Sequence, residues 1–348
     1  MGLSSVSRFG AKSAGEAPAA ARSFAIDVTE SKAVPAFCLS IHASYRCQHA
    51  GACCTAGWPI PAEPPLVATL ERGGLGQAWT PVRAFDEQPG PDGPLRVLRT
   101  QADAACVFYE RERHRCAVHR LAGPQVLPVA CRNFPRITLT DRRGTFITLS
   151  HFCPTAASLL QTDAPLAIVE APASLSLDGG VEGLDATGVL PPLLRPGMLM
   201  DAGGYTAWEK EAIEVLGDRR YSARAALGII AAATREIHRW EPGGDTLEAR
   251  VRDRFEHQRR RVSPARPSPP PQEAPIKAFL AAHLFASWHG YQDGGLDAIV
   301  HGVDAALATL TRELSRSSFV PAVRAADFLL RHSRADVGPG SLSSLRRH

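Results

Sequence analysis

At 348 residues, with 45% hydrophobic and 21% charged side chains, the chain has the composition of a soluble globular protein large enough for one large or two ordinary domains. A net charge of only +4 gives no electrostatic footprint for nucleic acid, and no apolar run approaches the roughly 20 residues of a membrane helix. Eight cysteines without an apolar secretory block point away from a disulfide framework and toward metal or redox chemistry in a cytoplasmic protein.

In chain order, residues 1–30 read as a disordered tail rich in Ala, Ser and Gly. Its Met1-Gly2 start resembles a myristoylation signal, but Val6 stands where that signal needs Ser or Thr. Residues 31–160 carry every cysteine: Cys38, Cys47, Cys53, Cys54, Cys106, Cys116, Cys131 and Cys153. Unrelated core thiols would not be expected to segregate so completely. Within this region PIPAEPP and DEQPGPDGP mark loops, and PLRVLRT reads as a short strand. CVFYERERHRCAVH, residues 106–119, is expected to be a hairpin with a charged tip at Glu110 to His114, which brings Cys106 and Cys116 together at its base. RITLTDRRGTFITLS is expected to be a second hairpin, turning at Asp141 to Gly144, with Cys131 before its entrance and Cys153 beyond its exit.

The character then changes. Residues 161–204 look like an irregular connection, and 205–335 are expected to be helical. YTAWEKEAIEVLG, YSARAALGIIAAATREIHRW and DTLEARVRDRFEHQRRR each hold the 3.6-residue period, with Asp245 as the expected cap of the third. A proline-rich linker at 262–275 separates them from IKAFLAAHLFASWHGY, LDAIVHGVDAALATLTREL and FVPAVRAADFLLRHS, also read as amphipathic helices. Residues 336–348 read as a frayed tail. The predicted fold class is α+β: a loop-rich cysteine-cluster region with two β-hairpins, followed by a mainly α-helical region.

Thiolates select zinc, copper(I) or iron-sulfur clusters, so ligand type leaves the metal open. Structural zinc sites show short C-x2-4-C knuckles, whereas Cys47 to Cys53 is C-x5-C and Cys106 to Cys116 is C-x9-C. Irregular spacing suits a cluster better, because each cysteine binds a different iron of a larger object. Adjacent residues of an extended chain point to opposite faces, so one of Cys53 and Cys54 faces the metal while its neighbour packs or serves a second site.

YRCQHAGACCTAGW, CVFYERERHRCAVHRLAG, LPVACRNFPR and LSHFCPTAASLL together resemble the successive motifs of the cysteine-cluster family of zinc- or iron-chelating proteins, and especially its flagellin lysine N-methylase branch. On that resemblance Cys47, Cys53, Cys54, Cys106, Cys116, Cys131 and Cys153 take the metal positions, and Arg132, Phe134 and Pro135 also match. Ala50 stands where the general pattern has its second cysteine, with His49 beside it as a substitute donor. The resemblance implies a 4Fe-4S cluster, with zinc as the alternative metal. For the methylase branch it implies S-adenosylmethionine and protein lysine side chains as methyl donor and substrate. The alternative reading is a non-catalytic zinc- or iron-binding structural or interaction protein, and no catalytic residue is legible.

His119, Arg132 and His151 are candidates to stand beside the ligands, Arg132 because a guanidinium next to a ligand cysteine can donate to cluster sulfurs. Arg111, Arg113, His114, Arg115, Arg136, Arg142 and Arg143 are either a basic rim or, as favoured here, solvated charge. RVRDRFEHQRRR reads as a solvated helix face and His283 as a core histidine. Neither nucleic acid nor membrane is expected as a partner.

Overall fold

The computed structural model describes residues 34–72, 84–90, 93–177, 183–263, 273–292 and 294–331. The tails expected at 1–30 and 336–348 and the middle of the proline-rich linker lie outside these residues. The fold is α+β, and its organising element is the second hairpin. Strands β6 (Arg136–Asp141) and β7 (Gly144–Leu149) pair antiparallel with Asp141 opposite Gly144, as the alternating threonines and isoleucines predict. Gly144 is required there: at φ +141° a Cβ would lie 2.5 Å from the Pro35 carbonyl oxygen.

This hairpin is the centre of a five-stranded mixed sheet. Strand β1 (Ala36–Leu39) lies parallel to β7, β8 (Ile168–Glu170) pairs antiparallel with β1, and β9 (Gly183–Asp185) pairs parallel with β6. The expected irregular connection at 161–204 therefore supplies both edge strands, plus a small hairpin of β10 (Leu193–Arg195) and β11 (Met198–Leu199). Three-residue edge strands are too short to show the period-2 pattern by which strands are read.

Two faces give the sheet two neighbours. Leu39, Leu139 and Phe146 join the main core with the helices, while Cys38, Ile147 and Leu149 join a smaller core with Tyr45, Cys153 and Leu175. This is the alternation of successive side chains along a strand. The helical side holds α5 (Ala202–Gly217), α6 (Ala223–Ile237), α7 (Leu247–Arg261), α8 (Glu273–Leu284), α9 (Leu296–Leu314) and α10 (Phe319–Arg331). Side chains of Asp201, Ser222 and Thr246 cap α5, α6 and α7 by accepting backbone N–H bonds. The cap of α7 is thus Thr246 and not Asp245, whose carbonyl instead accepts from Trp240 Nε1. Buried Lys277 closes the far end of α5, donating to Asp218 O at 2.6 Å and Tyr221 O at 3.0 Å.

A third, small core of Val67, Phe85, Leu98, Phe108 and Val118 lies within the cysteine region. It is built by α1 (Pro64–Glu71), the hairpin β2 (Phe85–Gly90) and β3 (Gly93–Leu98), and α2 (Ala117–Ala122). Two expected loops are corrected here. PIPAEPP leads into α1, whose prolines occupy the first helical turn, where a missing N–H costs nothing. Phe85–Gly90 is a strand whose Pro89 sits at the turn end of the hairpin.

Candidate metal centre

The first expected hairpin forms with shorter arms. Strand β4 (Tyr109–Glu110) pairs with β5 (Arg115–Cys116) across a tight turn at Arg111–Arg113, and the chain then enters α2 instead of continuing as a strand. Cys116 consequently faces Tyr109, while Cys106 bridges to Thr100. Cys53 and Cys54 sit on a 3-10 turn, Ala52–Thr55, and Cys106 N donates to Cys54 O at 2.7 Å, tying the two segments together. Cys131 lies on α3 (Val129–Asn133), Cys153 precedes the first turn of α4 (Pro154–Leu159), and Cys47 stands exposed on the loop before Gly51.

All seven of these cysteines line one cavity of about 560 Å³. The eighth, Cys38, is in the core, where burial pushes its thiol up to about 11. None of the eight is in a disulfide. Among the described residues no three His, Cys, Asp or Glu side chains close around a point that a single ion could take. The thiols surround a volume.

Their electrostatics are unequal. Cys54 is in hydrogen-bonding contact with Cys116 and Cys53, which drives its own thiol far up. The same contact holds Cys53 below the ordinary thiol value and brings Cys116 down to about 7. Burial pushes Cys106 up to about 12 and raises Cys153, whose Sγ lies 3.8 Å from Tyr45 Oη. Cys47 Sγ accepts from His49 N at 3.4 Å. The cavity thus sets Cys53 and Cys116, held below the ordinary thiol value, beside Cys54, Cys106 and Cys153, which are raised above it.

Ala50 also lines the cavity, and so do His49 and His119, whose rings pack with centroids 4.3 Å apart. Arg132 also lines it, donating through one terminal nitrogen to Gln125 O and Leu127 O. His151 does not. It is fully buried behind Cys153, with Nε2 3.1 Å from His42 Nε2 and Nδ1 3.8 Å from Asp327 Oδ1. Residues 150–153 form a turn beyond the end of β7, where the period-2 alternation of a strand gives no guide, so the direction of His151 is not legible in the sequence.

Four arginines reach the cavity: Arg115, Arg120, Arg132 and Arg136. Arg120 is neutralised by a two-pronged pair with Glu110. The Nε–H groups of Arg132 and Arg136 are buried and meet no acceptor among the described residues. Arg143, read with the other arginines as solvated charge or a basic rim, is neither: it is buried and paired with Asp141 and Glu209. Tyr45, which opens YRCQHAGACCTAGW, also lines the cavity, although nothing in the sequence singles it out as a site residue. The lining also includes the apolar side chains of Ile60, Leu66, Leu70 and Phe108.

No family model, curated protein or solved structure matches this chain. No helix among the described residues is long and apolar enough to cross a membrane.

Proposed function

We propose that the seven-thiol cavity holds an iron-sulfur cluster, of the 4Fe-4S type, and that the protein is an S-adenosylmethionine-dependent methyltransferase acting on protein lysine side chains. The observation that carries the metal reading is the convergence of seven cysteines from separate segments on one cavity, with buried Nε–H donors of Arg132 and Arg136 that meet no acceptor among the described residues. Thiolate and sulfide are the acceptors such donors suit, and an unpaired buried donor is costly. A volume surrounded by thiols favours a cluster over a single zinc ion, since zinc needs its four ligands about one point. When bound, the cluster supplies a compact redox-active, Lewis-acidic centre. The chain's own contribution is to hold the thiols, to exclude water with the apolar side chains of Ile60, Leu66, Leu70 and Phe108, and to offset thiolate charge with arginine.

The methyltransferase part rests on the resemblance of YRCQHAGACCTAGW, CVFYERERHRCAVHRLAG, LPVACRNFPR and LSHFCPTAASLL to the flagellin lysine N-methylase branch of the cysteine-cluster proteins. A second reading is a metal that serves structure alone. It is favoured by the small size of the core under the cavity, five buried residues, which a metal would supplement. Anaerobic purification with iron, zinc and acid-labile sulfide analysis separates the metals. A brown protein with iron and sulfide in equal amounts is expected, and a colourless protein with stoichiometric zinc would overturn the cluster. Calorimetry of the iron-loaded protein with S-adenosylmethionine separates the functions, since the structural reading gives no binding heat.

A further inference from the structure

The turn that presents Cys153 is held from the opposite end of the chain. Helix α10 satisfies both backbone polar groups of Phe152: Arg324 Nε donates to Phe152 O at 2.9 Å, and Asp327 Oδ2 accepts from Phe152 N at 3.1 Å. The same carboxylate oxygen accepts from Ser150 Oγ at 2.7 Å. Asp327 is itself fixed. Arg331 Nε donates to its Oδ1 at 3.1 Å, and His283 Nε2 stands 3.4 Å from that oxygen. A backbone turn between a strand and a helix must find partners for its own N–H and C=O, and here α10 supplies a side chain to each, with Ser150 Oγ sharing the Phe152 N–H at 3.4 Å.

The Phe152 ring extends this link. It packs on Phe328 of α10 at 5.3 Å and on Trp58 at 5.5 Å, and Trp58 packs on Phe134 at 5.6 Å. Arg324 lies over the Phe152 ring at 5.2 Å. Trp58 follows the Cys53-Cys54 turn, Phe134 follows Cys131, and Phe152 precedes Cys153. One row of aromatic rings therefore runs from α10 past three of the cysteine-bearing segments.

We propose that α10 is part of the metal-binding unit: Asp327 and Arg324 are positioning residues that set where Cys153 stands, and the Phe328, Phe152, Trp58 and Phe134 rings carry that constraint to the segments that follow Cys54 and Cys131. The proposal deepens the reading of the cavity as a metal centre and rests on it for its consequence in the loaded protein. Its geometric content is independent, because a loosened turn exposes the Cys153 thiol whether or not metal is present.

The test uses the full chain with two variants, Arg324→Ala and Asp327→Ala, each checked for folding by far-ultraviolet circular dichroism. After chelation, alkylation of Cys153 and Cys106 is followed site by site by mass spectrometry, and iron retention and the visible circular dichroism of the loaded protein are recorded. In Arg324→Ala, Cys153 alkylation is expected to rise about tenfold with Cys106 unchanged, as loss of one charged hydrogen bond predicts. The loaded protein is expected to show an altered visible dichroism, restored in part by Arg324→Lys. An unchanged Cys153 rate, or an equal rise at Cys106, overturns the proposal. Absence of iron from the unaltered protein removes the cluster reading, while the alkylation result still decides the role of α10. Arg324 is on a partly exposed helix face, so its variant remains informative if Asp327→Ala does not fold.

Discussion

The Arg143 guanidinium lies between the rings of Phe146 and Tyr205, 4.2 Å from each centroid, while its nitrogens pair with Asp141 at 2.9 Å and Glu209 at 3.1 Å. Tyr291 adds a bond to Asp141 at 2.6 Å, and Glu209 accepts from Ala286 N at 3.2 Å. This buried pair fastens the turn of the central hairpin to α5 and to the segment after α8. Removing one partner strands the others in a low-dielectric site, so Arg143→Met is expected to cost about 3 to 5 kcal/mol. Urea unfolding measures it, and a loss below about 1 kcal/mol would show that the charges are effectively solvated.

Gly51 adopts φ +70°, and a Cβ there would meet Tyr109 Cε2 at 2.8 Å and His114 O at 3.0 Å. It lies between Ala50 and the Cys53-Cys54 turn, so the constraint falls on the cavity. Gly51→Ala is expected to destabilise by about 1 to 3 kcal/mol through left-handed backbone and the displaced ring. Metal content after gel filtration is expected to drop, with the helical content intact. Full metal retention would place the close approach outside the site's requirements.

The thiol pair Cys54 and Cys116 predicts selective chemistry in the metal-free protein. The Cys54 hydrogen bond brings Cys116 down to about 7, whereas burial puts Cys106 at about 12. Both are partly buried. At pH 7.5 Cys116 is expected to alkylate well ahead of Cys106, with a rate that rises through about pH 7 and is suppressed once metal is loaded. Equal rates at the two positions would contradict the assigned contact.

Acid should loosen the junction between the sheet and α10. Burial, before any charge effect, lowers His42, His151 and His283 below their ordinary 6.5, with Arg331 adding to it in each case and Asp327 opposing. Above that value neither the native nor the unfolded chain binds these protons. As pH falls through 6.5 the unfolded chain takes them up while the native chain does not, down to about 4 for His283. Stability is therefore expected to fall below pH 6.5, by up to about 1.4 kcal/mol per pH unit for each histidine. Urea midpoints at intervals from pH 7.5 to 5 measure it, and a flat profile would mean that the histidines are solvated or already charged.

The sequence alone carried what depends on local pattern. The threonine and isoleucine alternation of RITLTDRRGTFITLS gave the hairpin and its register, and the 3.6-residue period gave α5, α6, α7, α9 and α10 nearly to their ends. Segregation of the cysteines into one region, and the motifs in which seven of them fall, were likewise readable in the sequence. All seven line one cavity. What tertiary structure decided was direction and distance. Edge strands β8 and β9 exist because β1 and β6 offer them unpaired backbone groups, not because three residues prefer to be extended. His151 turns to His42 and away from its neighbour Cys153 because the turn between them is shaped by Asp327, which lies 176 positions later. Asp327 carries no local signal, since a carboxylate on an amphipathic helix reads as solvated. Its burial, and with it the link between the last described helix and the cysteine cavity, arises only when the chain closes on itself.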